Sequence, residues 1–193
     1  MFARHSQAET PADNVLQANS DTAIMDFSGT EAIPFLTAIL GLDINKLTAS
    51  GLGLRSSLDD DLTSSYAYAL YYFNETAFRF VLGKDASVQL QSLINEQQLR
   101  YDIDYVMRDD LSALTLSGEQ AFDALVYSFK LTPGLRLSDM RSCYGAQSGE
   151  VFITAIDNQA TQQFQLVARQ AELDKWQTHL QQLGFDLALA NVA

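Results

Sequence analysis

The sequence predicts an α+β protein made of two copies of one strand–helix–strands–helix module, in residues 21–110 and 111–193. A strand-like run that ends in Ser-Gly and leads into an amphipathic helix occurs twice, at Ser28 and at Ser117. A second pair of matching strand and helix segments follows at a nearly equal offset. Only two long copies occur, so the pattern indicates a fused pair of βαβ-type modules with antiparallel strands rather than a solenoid.

Length and composition limit the class of protein. The chain has 193 residues, of which 47% are hydrophobic, so a sizeable buried core is expected. With 24 acidic and 12 basic residues, its net charge of −12 would repel nucleic acid and anionic membranes. Cys143 is the one cysteine, which excludes an internal disulfide and favours a cytoplasmic location. Residues 1–20 are mostly polar, and we expect a flexible arm without a signal peptide.

The first module opens with a strand at 23–27 and a helix. Thr30 is the expected N-cap of this helix, with Glu31 in the first turn, and Gly41 ends it. The helix has one apolar stripe at helical spacing: Ala32, Phe35, Leu36, Ile39 and Leu40. These signals predict a helix packed on a sheet.

The rest of the first module reads as strands and one further helix. Extended segments are expected at 54–58 and 66–73, and a turn leads into a third at 77–82. Asp85 then opens a helix, and a strand at 100–107 links to the second module.

The second module repeats this order. A strand at 111–116 precedes a helix whose apolar residues are Ala121, Phe122, Leu125 and Phe129. A later strand at 164–168 leads into a helix at 170–183. We therefore expect helices on one side of each set of strands and a cleft along the seam between modules, where binding sites are common.

This succession of segments resembles the folate-binding domain of the glycine-cleavage T-protein (aminomethyltransferase) superfamily over roughly residues 22–187. The segments that carry the resemblance are FSGTEAIPFLTAILGLDINKL, YYFNETAFRFVLGKDASVQLQSLI, LSALTLSGEQAFDALVYSF and EVFITAIDNQATQQFQLVARQAELDKWQTHLQQLG. That superfamily includes a folate-dependent iron–sulfur-cluster assembly protein and the gamma subunit of heterotetrameric sarcosine oxidase. The resemblance implies the T-protein fold and tetrahydrofolate as the cofactor.

The residues that such enzymes use are mostly missing. Enzymatic members hold the pterin with an aspartate in a Gly-Gly-x-x-Asp-Asp segment before the Tyr-rich strand. Here Asp59, Asp60 and Asp61 lie a few residues early, so a shifted loop is needed to present one of them, and Asp61 is the substitute that we consider. Their asparagine after the next strand is replaced by Gly83-Lys84, and the counterpart of their Gly-Tyr-x-Gly-Glu loop, about 157–163, keeps neither Tyr nor Glu. We therefore predict no catalytic residue.

An aromatic stripe is the main candidate binding feature: Tyr66, Tyr68, Tyr72, Phe78 and Phe80. It is either sheet core or a wall for a flat heterocycle. Lys84 would lie near the rim as a counter-charge for a glutamate tail. The predicted ligand-binding set is Asp61, Tyr66, Tyr68 and Lys84.

Other polar residues favour ordinary structural roles. Cys143 lacks a neighbouring base and is read as a buried or incidental thiol. His5 and His179 are far apart, so no metal site is predicted. Asp102 and Asp104 are expected to be solvated rather than an acid–base pair.

The leading hypothesis is a degenerate, stand-alone T-protein-like domain that binds a ligand or serves as an accessory protein without catalysis. One alternative is a folate-dependent one-carbon (aminomethyl) transferase that uses Asp61. Another is a gamma-type subunit of an amine-oxidising complex, which predicts a protein partner and an exposed apolar patch. A homodimer is also compatible with the sequence.

Overall fold

A single mixed sheet carries the fold in the computed structural model, which describes residues 14–47, 49–56, 58, 68–130, 142–158 and 161–188. In these residues the strands are β1 Val15–Asn19, β2 Thr22–Ser28, β3 Leu52–Ser56, β4 Tyr68–Asn74, β5 Ala77–Gly83, β6 Asp104–Met107, β7 Ser112–Ser117, β8 Ser142–Ser148, β9 Val151–Asn158, β10 Thr161–Ala168 and β11 Asp186–Leu187. The helices are α1 Ala32–Ala38, α2 Lys84–Gln97, α3 Ala121–Phe129 and α4 Gln170–Gln182, with a 3-10 turn at Ile44–Lys46.

The sheet order is β11-β1-β7-β10-β9-β8-β3-β4-β5-β2-β6, and every pairing is antiparallel except that of β1 with β11. We call β6-β2-β5-β4-β3 the first half-sheet and β8-β9-β10-β7-β1-β11 the second half-sheet. The two join where β3 pairs with β8. The mixed helix content and antiparallel pairing confirm the predicted α+β class.

Alternation of side chains along the strands gives each half-sheet two buried faces. In β5, Phe78, Phe80 and Leu82 join a core under α1 and α2, while Val81 faces the other half-sheet. In β10, Phe164 and Leu166 join a second core under α3 and α4. The half-sheets thus pack against one another through a third core that includes Tyr71, Val81 and Phe152, with helices on both outer sides. We call the region between the half-sheets the inner space.

The Ser-Gly turns form similar helix starts. Gly29 and Gly118 have φ of 148° and 123°, and each accepts a hydrogen bond from the backbone N–H three residues later. A Cβ at Gly29 would overlap the backbone carbonyl oxygen of Asp102, so glycine is required there by space as well as by conformation.

The predicted cap of α1 differs from the observed start. The helix begins at Ala32 after Glu31, and neither Thr30 nor Glu31 caps it by a side chain. Instead, Thr30 Oγ1 donates to the carboxylate of Asp102 at 2.6 Å, and the Glu31 carboxylate accepts from the Asp102 N–H at 2.7 Å. The segment before β6 competes for these side chains, which sequence propensity alone does not reveal.

The expected arm at 1–20 is wrong from Val15 onward. Residues 15–19 form β1 between β7 and β11, and Leu16 is fully buried there. Residues 1–13 lie outside the described part. The division at 21–110 and 111–193 stays a prediction, and β1 adds a strand from the start of the chain to the second half-sheet.

Candidate functional site

The inner space between the half-sheets contains an ion-paired cluster on one side. Arg79 donates from Nε to Asp26 Oδ1 at 2.7 Å and from a terminal nitrogen to Oδ2 at 3.1 Å. Arg108 adds a bond to Asp26 Oδ2 at 2.6 Å. Burial alone would raise the pKa of Asp26, but hydrogen bonds from both arginines and their charges outweigh it and lower the pKa below 3.8.

The cluster continues to the surface near α4. Arg108 also donates to the Asp110 carboxylate at 2.8 and 2.9 Å, and this hydrogen bonding lowers the pKa of Asp110 to about 2. Arg169, the residue before α4, lies 3.8 Å from Asp110. Charged groups from both halves of the chain therefore meet at this edge.

Phe152 of β9 packs against the ion-paired cluster from the second half-sheet. Its ring lies edge-on to Tyr71 at 5.2 Å and to Phe73 at 5.7 Å, and the Arg79 guanidinium lies 5.3 Å from its centroid. A Cβ at Gly145 would overlap the Phe152 ring, so β8 can approach only with glycine at that position. The first half-sheet thus has a filled, charge-paired inner face.

The strand register gives the two inner faces matching rows. Direct strand pairing aligns the first row, which is Gly53, Tyr71, Arg79 and Asp26. Corresponding pairings align the second row, which is Gly145, Thr154, Gln165 and Thr115. The second row therefore replaces an ion pair with neutral hydrogen-bonding side chains.

Two residues of the second row are buried with little or no hydrogen bonding. Thr154 has no exposed surface, and its hydroxyl has no hydrogen-bond partner among the residues that the structure describes. Gln165 is 3% exposed, and its side-chain nitrogen lies 3.4 Å from Thr22 Oγ1 across the inner space. Buried hydroxyl groups without a partner are uncommon and require a physical explanation.

Two neighbours shape the space beside Thr154. Arg55 of β3 is 6% exposed and donates to the Ala155 carbonyl at 2.9 Å. Ala69 precedes Tyr71 of the first row by two residues, and Phe152 precedes Thr154 of the second row by two residues. Ala69 and Phe152 therefore occupy equivalent positions in their half-sheets. A methyl group cannot cover the second row as the Phe152 ring covers the first.

The structure places only part of the predicted ligand-binding set. Asp61 and Tyr66 lie outside the described residues. Tyr68 is 2% exposed and packs edge-on against Phe80 at 5.5 Å in the helix-covered core, where burial raises its pKa. Lys84 is exposed at the start of α2 and follows the end of β5 where Leu82 pairs with Tyr68. Their roles toward a ligand stay predictions.

Sequence reasoning missed Thr154 and Gln165. Each is a polar residue within an apolar strand run, which was the available signal for a buried polar position. Cys143 lies in β8, but its side chain is outside the described part. His179 hydrogen-bonds Ser128 at 3.1 Å, and the described residues contain no cluster able to hold a metal ion. None of the described helices is long and apolar enough to cross a membrane.

Comparison with solved structures identifies the fold. Glycine cleavage system aminomethyltransferase T from Bartonella henselae matches 93% of this chain with a TM-score of 0.71 and 18% identity. A chain of heterotetrameric sarcosine oxidase from Corynebacterium sp. U-96 matches 89% with a TM-score of 0.58 and 12% identity. The present chain spans 48% of the former and 83% of the latter. No protein-family model matches the sequence. The chain therefore has the fold of the glycine cleavage T-protein.

Proposed function

We propose that this chain is a non-catalytic, T-protein-like domain that binds a flat polar heterocycle, such as the pterin of tetrahydrofolate, at the second row, where entry of the ring separates Gln165 from Thr22. The observation that carries the proposal is the buried hydroxyl of Thr154, next to Gln165, which finds no hydrogen-bond partner in the described part of the chain. Leaving such a group unpaired costs about 1–3 kcal/mol, and a bound ligand would supply the missing partner.

The side-chain chemistry of this region suits a neutral ring. A threonine hydroxyl and a glutamine amide can each donate and accept, as the ring N–H and carbonyl groups of a pterin require. Arg55 is a buried cation that donates to the carbonyl of Ala155, the residue directly after Thr154.

The same residues favour binding over catalysis. Alternation puts Thr115, Thr154, Gln165 and apolar residues on the described inner faces of β7, β9 and β10, without a carboxylate. Proton transfer needs a group that titrates near neutral pH, which these neutral side chains do not supply. Asp26 does not supply it because Arg79 and Arg108 bind its carboxylate.

Calorimetric titration with tetrahydrofolate tests the proposal on the wild-type chain and on Thr154→Val. We expect saturable binding that the substitution weakens about tenfold, because the ligand loses a hydrogen bond. The same substitution should raise the free energy of unfolding by about 1 kcal/mol, because it removes the unpaired buried hydroxyl.

Thr178→Val, on the exposed face of α4, is the matched control and should leave the affinity unchanged. Absence of folate binding would remove the proposal. Measurable one-carbon transfer would instead support the transferase alternative, and loss of that turnover in Asp61→Asn would assign Asp61 as its acid.

A second candidate function is that of a gamma-type subunit in an amine-oxidising complex. The fold similarity to a chain of heterotetrameric sarcosine oxidase, with a TM-score of 0.58, supports this candidate. Large apolar side chains are exposed at Val88 on α2, Leu99 just after it, and Val106 on the edge strand β6. Purification from the native source with a flavoprotein would support this role, whereas a monomer without a partner would contradict it.

A further inference from the structure

A cleft of about 540 Å³ lies between α3 and α4, on the outer side of the second half-sheet. The cleft is separate from the inner space, which lies on the other face of the second half-sheet. Its walls are Tyr127, Ser128, Lys130, Glu172, Lys175, Trp176 and His179. The volume is within the usual range of about 300–1,000 Å³ for small-molecule sites.

Lys130 has an unusual backbone conformation at the edge of this cleft. Its φ of 53° makes it the one non-glycine residue with positive φ in the described part of the chain. The matching residue after α1 in the first half is Gly41, with a φ of 63°. Left-handed backbone at a helix end favours glycine, and a lysine there costs about 1 kcal/mol. A strained backbone at a lysine beside a cleft points to a role for the lysine side chain.

The aromatic side of the cleft is fixed in place. The Trp176 ring stacks on Phe129 with centroids 3.9 Å apart, and its indole N–H donates to Glu172 at 3.2 Å. His179 lies edge-on to the same indole at 5.4 Å. Tyr127, by contrast, is 77% exposed. A held indole and an exposed phenol ring offer flat surfaces on which an aromatic ligand can stack.

The charge of the cleft is opposite to that of the whole protein. Glu172 is the one carboxylate among the described residues that line it, and it accepts a hydrogen bond from Lys175 at 2.8 Å. This contact lowers the pKa of Glu172 and raises that of Lys175, so both stay charged at neutral pH. Lys130 forms no ion pair with any residue that the structure describes. A free ammonium group in a protein of net charge −12 would attract an anion.

We propose that this cleft binds a small anion that carries a flat aromatic ring, with the ring against Tyr127 and Trp176 and the anionic group at Lys130. A phosphate or a carboxylate would satisfy the same chemistry. This site is independent of folate binding in the inner space, because the two share no residue.

Trp176 is the chain's one tryptophan, so its fluorescence reports on this cleft alone. We would titrate the full chain with adenosine monophosphate and with benzoate, and use adenosine and inorganic phosphate as ligands that each lack one half of the recognised group. We expect a saturable change in Trp176 emission with at least one aromatic anion, and affinity at least about tenfold weaker for adenosine and for phosphate. Preference for the nucleotide or for benzoate identifies phosphate or carboxylate as the anionic group.

Lys130→Gly separates function from structure. It should weaken binding about tenfold while the melting temperature stays the same or rises, because glycine relieves the left-handed strain. Lys46→Gly, at an exposed lysine outside the cleft, should leave binding unchanged. Unchanged affinity in Lys130→Gly, or no saturable signal with either aromatic anion at millimolar concentration, would overturn the proposal.

Discussion

In the first half-sheet Asp26 of β2 pairs across to Arg79 of β5, whereas the matching position in the second half-sheet pairs Thr115 of β7 with Gln165 of β10. The ion pair is satisfied within the protein by three hydrogen bonds to Asp26 from two arginines. The neutral row instead leaves Thr154 with an unpaired hydroxyl. Similar backbone registers thus support a self-contained cluster on one side and unfilled hydrogen-bonding capacity on the other.

The neighbouring residues follow the same division. Phe152 fills the inner space over the charged row, while Ala69 stands at the matching position near the neutral row. We infer that the first row mainly stabilises the fold and that the second row is available for a ligand. The following substitutions test this difference.

Phe152→Ala should have the largest effect on stability. The ring is 1% exposed and contacts Tyr71, Phe73 and Arg79, so its removal should lower the free energy of unfolding by about 3–5 kcal/mol. Ala69→Gly, at the matching position, should cost only about 1 kcal/mol. Urea unfolding of both variants measures the difference. Equal losses would show that the two positions are packed alike.

Asp26→Ala should have a smaller but clear effect. It leaves the Arg79 guanidinium, whose side chain is 11% exposed, without its carboxylate. The partial exposure of Asp26 reduces the expected loss to about 2 kcal/mol, below the range for fully buried pairs. Thr115→Ala should cost about 1 kcal/mol or less. A larger loss for Thr115→Ala would reverse the proposed division of roles.

The effect of Asp26 should also depend on pH. Because the folded state lowers the pKa of Asp26, its contribution is present above the unfolded pKa and is lost as pH falls through the folded pKa. The stability difference between wild type and Asp26→Asn should therefore be full at pH 7 and shrink below about pH 4. Thr115→Ala should show a constant difference over the same range. Chemical unfolding at several pH values distinguishes the two, and a constant Asp26→Asn difference down to pH 2 would be inconsistent with the ion-pair assignment.

Local sequence signals predicted most of the elements that bury apolar stripes. The Ser-Gly turns, α2, α4 and the β4–β5 hairpin occur close to the predicted positions, because each has its own periodicity, glycine or turn residues. Strand β1 was missed because only Leu16 is deeply buried and its partner strands are far away in sequence. Strand β8 was missed because SCYGAQS has no apolar alternation.

The inner space was harder to predict than the fold. Asp26, Arg79 and Arg108 meet only after β5 and β6 have paired on either side of β2. Lys130 could not be recognised from sequence either, because its conformation is set at the end of α3 and not by a lysine preference. The predicted cleft between modules stays a prediction, and the polar residues between the half-sheets depend on strand register.

The position of β1 has a consequence for the order in which the chain folds. Val15 pairs with Ser117, so this strand leaves the ribosome about 100 residues before its main partner does. Until β7 emerges, residues 15–19 have an unpaired backbone and an apolar Leu16 without its core. Pairing across such a long stretch of chain is slow, so β1 should be among the last strands to dock. The second half-sheet is therefore completed by the segment of this sheet that is synthesised first.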